Sequence, residues 1–378
     1  MKPVNLKTLA QELGLSVSTI SRALSDQHEI SQATKGRVQQ LAAELNYIPN
    51  PHASSLRRSK SRTIGVVIPE VANPFFALAI NGIEEVARKN NYHVLIYLTH
   101  DEYEREDAIV RLLASGRVDG VLLSVASTSR HFAHLELLLD RAIPLVFFDR
   151  IYKEFNTACV TTDDHVSGYQ ATRHLLAQGC RTIAHVALAS RLSITAGRLH
   201  GYQAALEEAG IPFDNDLLLH CPADGAPDDA VQTLLARRPD IDGVFAAVES
   251  LAISTYRACQ HLGWRIPDDV KVIGFSNSPV AELLQPPLST ITQPAYGIGQ
   301  EAAAIVFQAI NRNRPTLPAQ SRELKSTLTA RASTAVAPAE PLLLRAEWNE
   351  TNISGKGASR DLPVGGECDT PTRQRRAM

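Results

Sequence analysis

The chain has 378 residues, 44% of them hydrophobic, with 38 lysines and arginines against 40 aspartates and glutamates. That length suits two or three domains, and the composition excludes a mainly disordered or fibrous chain. No apolar run reaches the roughly 18 residues that a membrane span needs, and the N-terminus has no apolar signal core, so a cytoplasmic protein is expected.

Five cysteines (Cys159, Cys180, Cys221, Cys259 and Cys368) are scattered without a CxxC pair. That fits reduced, buried thiols better than disulfides or a zinc site. The net charge of -2 conceals an asymmetry. Residues 1–62 carry nine lysines and arginines against four acids, so this head is +5 and the remainder -7. A basic head on an acidic body marks a local polyanion site.

In chain order, residues 4–24 (VNLKTLAQELGLSVSTISRAL) read as two short helices joined by a turn. Leu6, Leu9, Ala10 and Leu13 recur at helical spacing, and Gly14 can leave that helix without steric cost. Ser16 stands where an N-cap belongs, ahead of a helix carrying Ile20, Ala23 and Leu24 inward. Val17, Ser18, Thr19, Ser21 and Arg22 are then turned outward, a face suited to a phosphate-lined groove. A third helix opens at Ser31 or Gln32 and runs to about Leu45, with Val38, Leu41, Ala42 and Leu45 inward. Pro49 and Pro51 end it. Residues 51–62 (PHASSLRRSKSR) suit either a flexible basic linker or a short helix starting at Pro51, with Leu56 free to wedge between base pairs.

From Thr63 the pattern changes to apolar runs alternating with amphipathic segments. Strands are expected at 64–68, 94–98, 120–123 and 144–148, with helices at 74–89, 104–114 and 131–141. A second set has strands near 183–187, 244–247 and 271–274, with helices near 166–178, 196–209, 228–237 and 250–262. Two doubly wound units place a ligand cleft at the carboxyl ends of their strands. Ser124, Asp149, Arg150, Ser276 and Asn277 follow strands, and Arg198 opens a helix, so together they converge on that cleft. Asn73, Phe75 and Phe76 open the first helix and add an aromatic wall and backbone donors. No phosphate-binding glycine motif, catalytic constellation or metal spacing occurs among the twelve histidines, so no cofactor, metal or enzymatic activity is expected.

The succession VNLKTLAQELGLSVSTISRAL, LNYIPNPHASSLRRSKS and TIGVVIPEVANPFFA resembles the LacI/GalR family of bacterial repressors, from about residue 3 to about residue 334. The resemblance implies an all-α helix-turn-helix head (1–49) and a hinge helix or linker (50–62). An α/β two-lobed core of two parallel sheets (63–334), like a periplasmic binding protein, would bind effector and dimerise. Val17, Ser18 and Arg22 would face bases. Ser16, Thr19, Ser21, Ser31, Thr34, Tyr47 and Asn50 would hold phosphates, and Ala53 and Leu56 would enter the minor groove of a pseudo-palindromic operator. A sugar or sugar derivative would be held by residues matching Ser124, Asp149, Arg198, Ser276 and Gln293, controlling DNA affinity with either sign.

Three departures separate this chain from many members. Val248-Glu249 replaces an Asn-Asp pair, Ser276 replaces an aspartate, and no aromatic stands near residues 223–224. The motif QPPLSTITQP (285–294) matches the family again, followed by a first-lobe helix over 295–312 and a segment, 324–334, closing the second lobe. Residues 335–378, rich in Pro, Gly, Ser and Thr, read as a disordered extension. An exported transport protein would lack the basic head, and a glycosidase would need a catalytic pair that is not evident.

Overall fold

The computed structural model describes residues 4–47, 60–188, 192–221 and 227–335. The expected hinge helix, Asn50, Ala53, Leu56 and the tail beyond 335 lie outside the described residues.

The head is three helices, α1 (Leu6–Leu13), α2 (Val17–Leu24) and α3 (Gln32–Glu44). Each begins at a side chain that satisfies otherwise orphaned backbone N–H groups. Asn5 Oδ1 accepts from Lys7 N at 2.9 Å and Thr8 N at 3.1 Å. Ser16 Oγ accepts from Thr19 N at 3.1 Å, and Ser31 Oγ from Thr34 N at 3.3 Å. Gly14, at φ 64°, takes the left-handed turn between the first two helices. Leu9, Ala10, Ile20, Ala23, Val38 and Ala42 form the buried centre. Lys35 is buried as well, its Nζ 2.7 Å from Asp26 Oδ1, and so ties α3 to the loop leaving α2.

The first lobe holds β1 (Thr63–Ile68), β2 (His93–Leu98), β3 (Gly120–Leu123), β4 (Leu145–Phe148), β5 (Ala158–Thr162) and β11 (Arg322–Leu324). Their order is β11-β5-β4-β3-β1-β2, and every pairing is parallel. Helices α4 (Pro74–Lys89) and α11 (Ala295–Arg312) cover one face; α5 (Tyr103–Leu113) and the short α6 (Glu136–Asp140) cover the other. Burial on both faces explains the unbroken apolar runs of β1, β3 and β4.

The second lobe repeats the plan, with strand order β12-β10-β9-β8-β6-β7. Its strands are β6 (Ile183–Leu188), β7 (Leu218–Cys221), β8 (Gly243–Ala246), β9 (Lys271–Phe275), β10 (Ser289–Thr292) and the antiparallel β12 (Thr327–Thr329). Helices α7 (Asp164–Ala177) and α8 (Ser193–Glu208) cover one face, α9 (Pro227–Arg237) and α10 (Glu249–Leu262) the other.

The chain passes between the lobes three times: from β5 to α7, from β10 to α11, and from β11 to β12. Gln293 Nε2 donates to Thr162 Oγ1 at 2.7 Å, linking the first two passages. Asp163 Oδ1 accepts from Ser326 N and Ser326 Oγ, both at 3.0 Å, linking the first and third.

Several expectations need correction. β5, β7, β10, β11 and β12 were not foreseen, because they are short and, at the sheet margins, polar or alternating rather than continuously apolar. Residues 131–141 form a 3₁₀ turn and a five-residue helix, not one long helix. Residues 324–334 do not belong to the second lobe alone, since Leu324 still pairs with the first sheet.

Ile20 has no solvent exposure at the centre of the head. Ile20→Ala should cost about 2–4 kcal/mol, read as faster hydrogen exchange in α1–α3 while exchange in the two sheets is unchanged.

Candidate functional sites

On the head, the start of α2 is a cluster of hydroxyls. Ser16 Oγ lies 2.7 Å from Ser18 Oγ and 2.8 Å from Thr19 Oγ1, and Ser31 Oγ lies 2.9 Å from Thr34 Oγ1 at the start of α3. Two helix N-termini with hydroxyl caps offer backbone N–H groups and a positive dipole end to anions. Ser18 and Arg22 are exposed, the guanidinium held 3.3 Å from Glu29. Ser21 and Tyr47 are half-buried. Val17 corrects an expectation: it packs against the apolar centre instead of standing fully outward. It precedes Ile20 by three residues and therefore shares much of that residue's helix face.

At the carboxyl ends of the strands the lobes enclose a cavity of about 40 Å³. The first lobe contributes Asn73, Phe75, Phe76, Asp149 and Arg150; the second contributes Arg198, Ser276 and Asn277; Gln293 lies on the passage between them. Asn73 Oδ1 caps α4 by accepting from Phe75 N at 3.0 Å. The Phe75 and Phe76 rings meet edge to face at 5.3 Å, and the Arg150 guanidinium lies 5.6 Å from the Phe76 centroid. Asp149, at φ 62°, turns out of β4 and is 5% exposed. Gln293 Nε2 reaches its Oδ1 at 3.4 Å, and Asn277 Nδ2 donates to the Gln293 carbonyl at 2.7 Å. Ser276 Oγ accepts from Ser278 N at 3.1 Å.

Arg198 is the most constrained cation. Its Nε donates to Asp164 Oδ1 at 2.7 Å, its Nη1 to the Ala247 carbonyl at 2.6 Å, and its carbon centre sits 3.6 Å above the Phe275 ring. It is the sixth residue of α8, not the first, because the helix starts at Ser193. The seat for this pair is cut by glycines. A Cβ on Gly168 would meet the Arg198 carbonyl oxygen at 2.4 Å, and one on Gly201 the His165 carbonyl oxygen at 2.1 Å. Only hydrogen at these positions lets α7 and α8 approach closely enough.

Burial pushes Asp164 up to about 6 despite the pull of Arg198. Burial also raises Asp149, against the pull of Arg150 and Arg198.

Ser124 overturns an expectation. It has no exposure and does not line the cavity; its N–H continues the sheet by donating to the Val67 carbonyl at 2.9 Å. Still inside the ladder, its side chain is buried beneath the strand end. Sequence reasoning missed Ile194 and Phe275 as cavity walls and Asp164 and Asp101 as counter-charges. It noted Val248 and Glu249 only as departures, although both line the cavity. Phe275 was readable beside Ser276, but Asp164 was hidden because β5, which precedes it, was not recognised. A larger hollow of about 590 Å³ opens at the other end of the first sheet, near Asp119 and Arg141. It lies away from the strand ends where the charged groups of both lobes meet.

A helix-turn-helix head followed by a two-lobed core with a polar inter-lobe cleft defines a DNA-binding regulator with a ligand-binding body. Residues 5–50 match bacterial regulatory proteins of the lacI family, and residues 61–333 match the periplasmic binding proteins and sugar binding domain of the LacI family. The chain belongs to the LacI family. It is 32% identical over 317 residues to the ribose operon repressor of Haemophilus influenzae, covering 82% of this chain and 94% of that protein. A LacI family transcriptional regulator from Enterococcus faecium, solved with bound ribose, superimposes with a TM-score of 0.61 at 30% identity, covering 72% of this chain and 98% of that one. The lac repressor dimer bound to operator shares the fold, with a TM-score of 0.76 at 22% identity over 89% of this chain and all of that chain. Among the described residues no helix is long and apolar enough to cross a membrane.

Arg198→Ala should leave Asp164 buried without its partner and cost about 3–5 kcal/mol in urea unfolding. The pH dependence has a defined sign. A folded-state value near 6, against 3.8 for the free side chain, means the folded chain binds the extra proton. Stability from this group therefore falls as pH rises from about 4 to about 6, and Asp164→Asn should remove that slope.

Proposed function

We propose that the protein is a transcriptional repressor whose operator affinity is set by a sugar or sugar derivative bound between the lobes. The observation that carries this reading is the convergence of Asp149 and Arg150 from one lobe with Arg198 from the other around a single cavity. A ligand there touches both lobes, so it can favour one lobe arrangement over another. Paired carboxylate and guanidinium groups suit vicinal hydroxyls, which both donate and accept. The ribose operon repressor and the ribose-bound regulator support a sugar. The work of the site is binding, not turnover.

On DNA, α2 is the reading helix, with Ser18, Arg22 and the exposed part of Val17 toward bases. Ser16, Thr19, Ser21, Ser31, Thr34, Tyr47 and Asn50 take phosphates, and Ala53 and Leu56 take the minor groove. A role at an operator implies that the protein acts in the cytoplasm. The core receives the chain from the head at Asp119. Its Oδ1 accepts from Ser61 N at 2.7 Å and Ser61 Oγ at 2.9 Å, and its Oδ2 from Arg62 N at 3.0 Å. This clamp gives lobe movement a grip on the hinge.

A homodimer completes the reading. Edge strand β2 exposes Leu95 and Ile96, and Val280 and Leu283 stand exposed on the second lobe. An open strand edge with apolar side chains needs a partner. The relative solved as a dimer on operator supports a second copy.

Selection of bound sequences from a random DNA pool should recover a palindrome with a flexible pyrimidine–purine centre. Leu56→Ala should weaken binding without altering the half-site sequence. Recovery of no enriched site, with or without pooled sugars, would contradict the repressor reading. Ile96→Asp should convert dimers to monomers in sedimentation and weaken operator binding at least about 10-fold, because paired half-sites are then bound singly.

A further inference from the structure

We propose that the cleft accepts an uncharged or amine-bearing polyhydroxylated ligand and rejects phosphorylated and carboxylated ones, with Glu249 setting that choice. The inference rests on the reading of the cleft as the effector site.

Glu249 is the first residue of α10 and lines the cavity, half-buried. Among the described residues its carboxylate has neither a hydrogen bond nor an ion pair. The cations lining the cavity among the described residues do not neutralise it, because each already has a carboxylate partner. Arg198 is held by Asp164 at 2.7 Å, and Arg150 Nη1 donates to Asp101 Oδ1 at 2.6 Å. With Asp149 and Glu249 added, two guanidiniums stand among four carboxylates of the described residues. Among the described residues no lysine lines the cavity, and Val248, Ile194 and Phe275 add apolar surface to its second-lobe wall beside Arg198, Ser276 and Asn277.

Arg150 shows what the cavity does lack. Its Nε is buried without a hydrogen-bond partner, and Asp149 Oδ2 at 3.8 Å is beyond hydrogen-bond reach. The side chain is 8% exposed. The guanidinium has charge compensation but is short of one acceptor. A ligand hydroxyl can accept from this N–H and donate to Asp149, meeting both needs without bringing charge. Glu249 is likewise an acceptor without a donor, which a second hydroxyl or an amine would supply. A phosphate or carboxylate would satisfy Arg150 Nε but would stand beside the carboxylates of Asp149, which accepts only the long hydrogen bond from Gln293, and Glu249, which has no donor among the described residues.

The test is calorimetric titration of the full-length protein with matched probes. These are ribose and ribose 5-phosphate, glucose, glucosamine and glucose 6-phosphate, and adenosine and adenosine monophosphate. The expected result is a binder among the uncharged or amino compounds, with its phosphorylated partner at least about 100-fold weaker. E249Q should fold as the wild type and narrow that discrimination about 10-fold, while Asp149→Asn should abolish binding of the preferred compound. A phosphorylated compound that binds as tightly as its parent, and is lost in Asp149→Asn, overturns the charge rule and leaves the effector site standing. A binder indifferent to Asp149→Asn, or no binder at all, overturns the effector reading and the inference with it.

Discussion

Three strands of backbone run side by side between the lobes, and short hydrogen bonds fasten them together. Thr162 and Asp163 on the first passage hold Gln293 on the second and Ser326 on the third. The position of the cleft depends on this knot. It fixes where the two sheets face each other while leaving the lobes connected only by short segments, the arrangement from which hinge motion arises. It also places Gln293 against Asp149, so the pivot and the candidate ligand site share a side chain.

The cleft beside the knot keeps charge where water is largely excluded. Arg198 with Asp164, and Arg150 with Asp101, are close pairs that offset part of their desolvation. Such pairs add little net stability compared with apolar packing, but removing one member is costly. Their value here is geometric: each guanidinium is held rigid, presenting chosen edges to the cavity. The glycine contact between α7 and α8 belongs to the same device, since a methyl group at Gly168 or Gly201 would push Arg198 off its seat. The head is held differently, by a small apolar centre, three side-chain caps and the ion pair of buried Lys35 with exposed Asp26.

What could be read in advance follows from how local each signal is. The head was legible because caps, Gly14 and helical spacing all lie within a few residues of what they specify. Helix α4 and the long α11 were legible for the same reason, as were the buried runs of β1, β3 and β4. β5 was not, because ACVTT alternates and gains its identity only from β4 and β11 on either side. Losing β5 concealed Asp163 and Asp164, and with them the knot and the partner of Arg198. Ser124 failed for a matter of one residue: the ladder continues past Leu123, so its side chain is buried rather than presented to the cleft. Glu249 stood out as an unusual residue, but only the pairing of Arg150 and Arg198 with other carboxylates gives it meaning.

One ligand, held between the lobes, and one operator, held by the head, bias the same equilibrium. Reciprocity tests this coupling most directly: the ligand's dissociation constant is measured with and without saturating operator. If the two sites are coupled, operator changes ligand affinity by the same factor that ligand changes operator affinity. A ligand that alters operator binding while its own affinity is indifferent to operator would show that the two sites are not coupled.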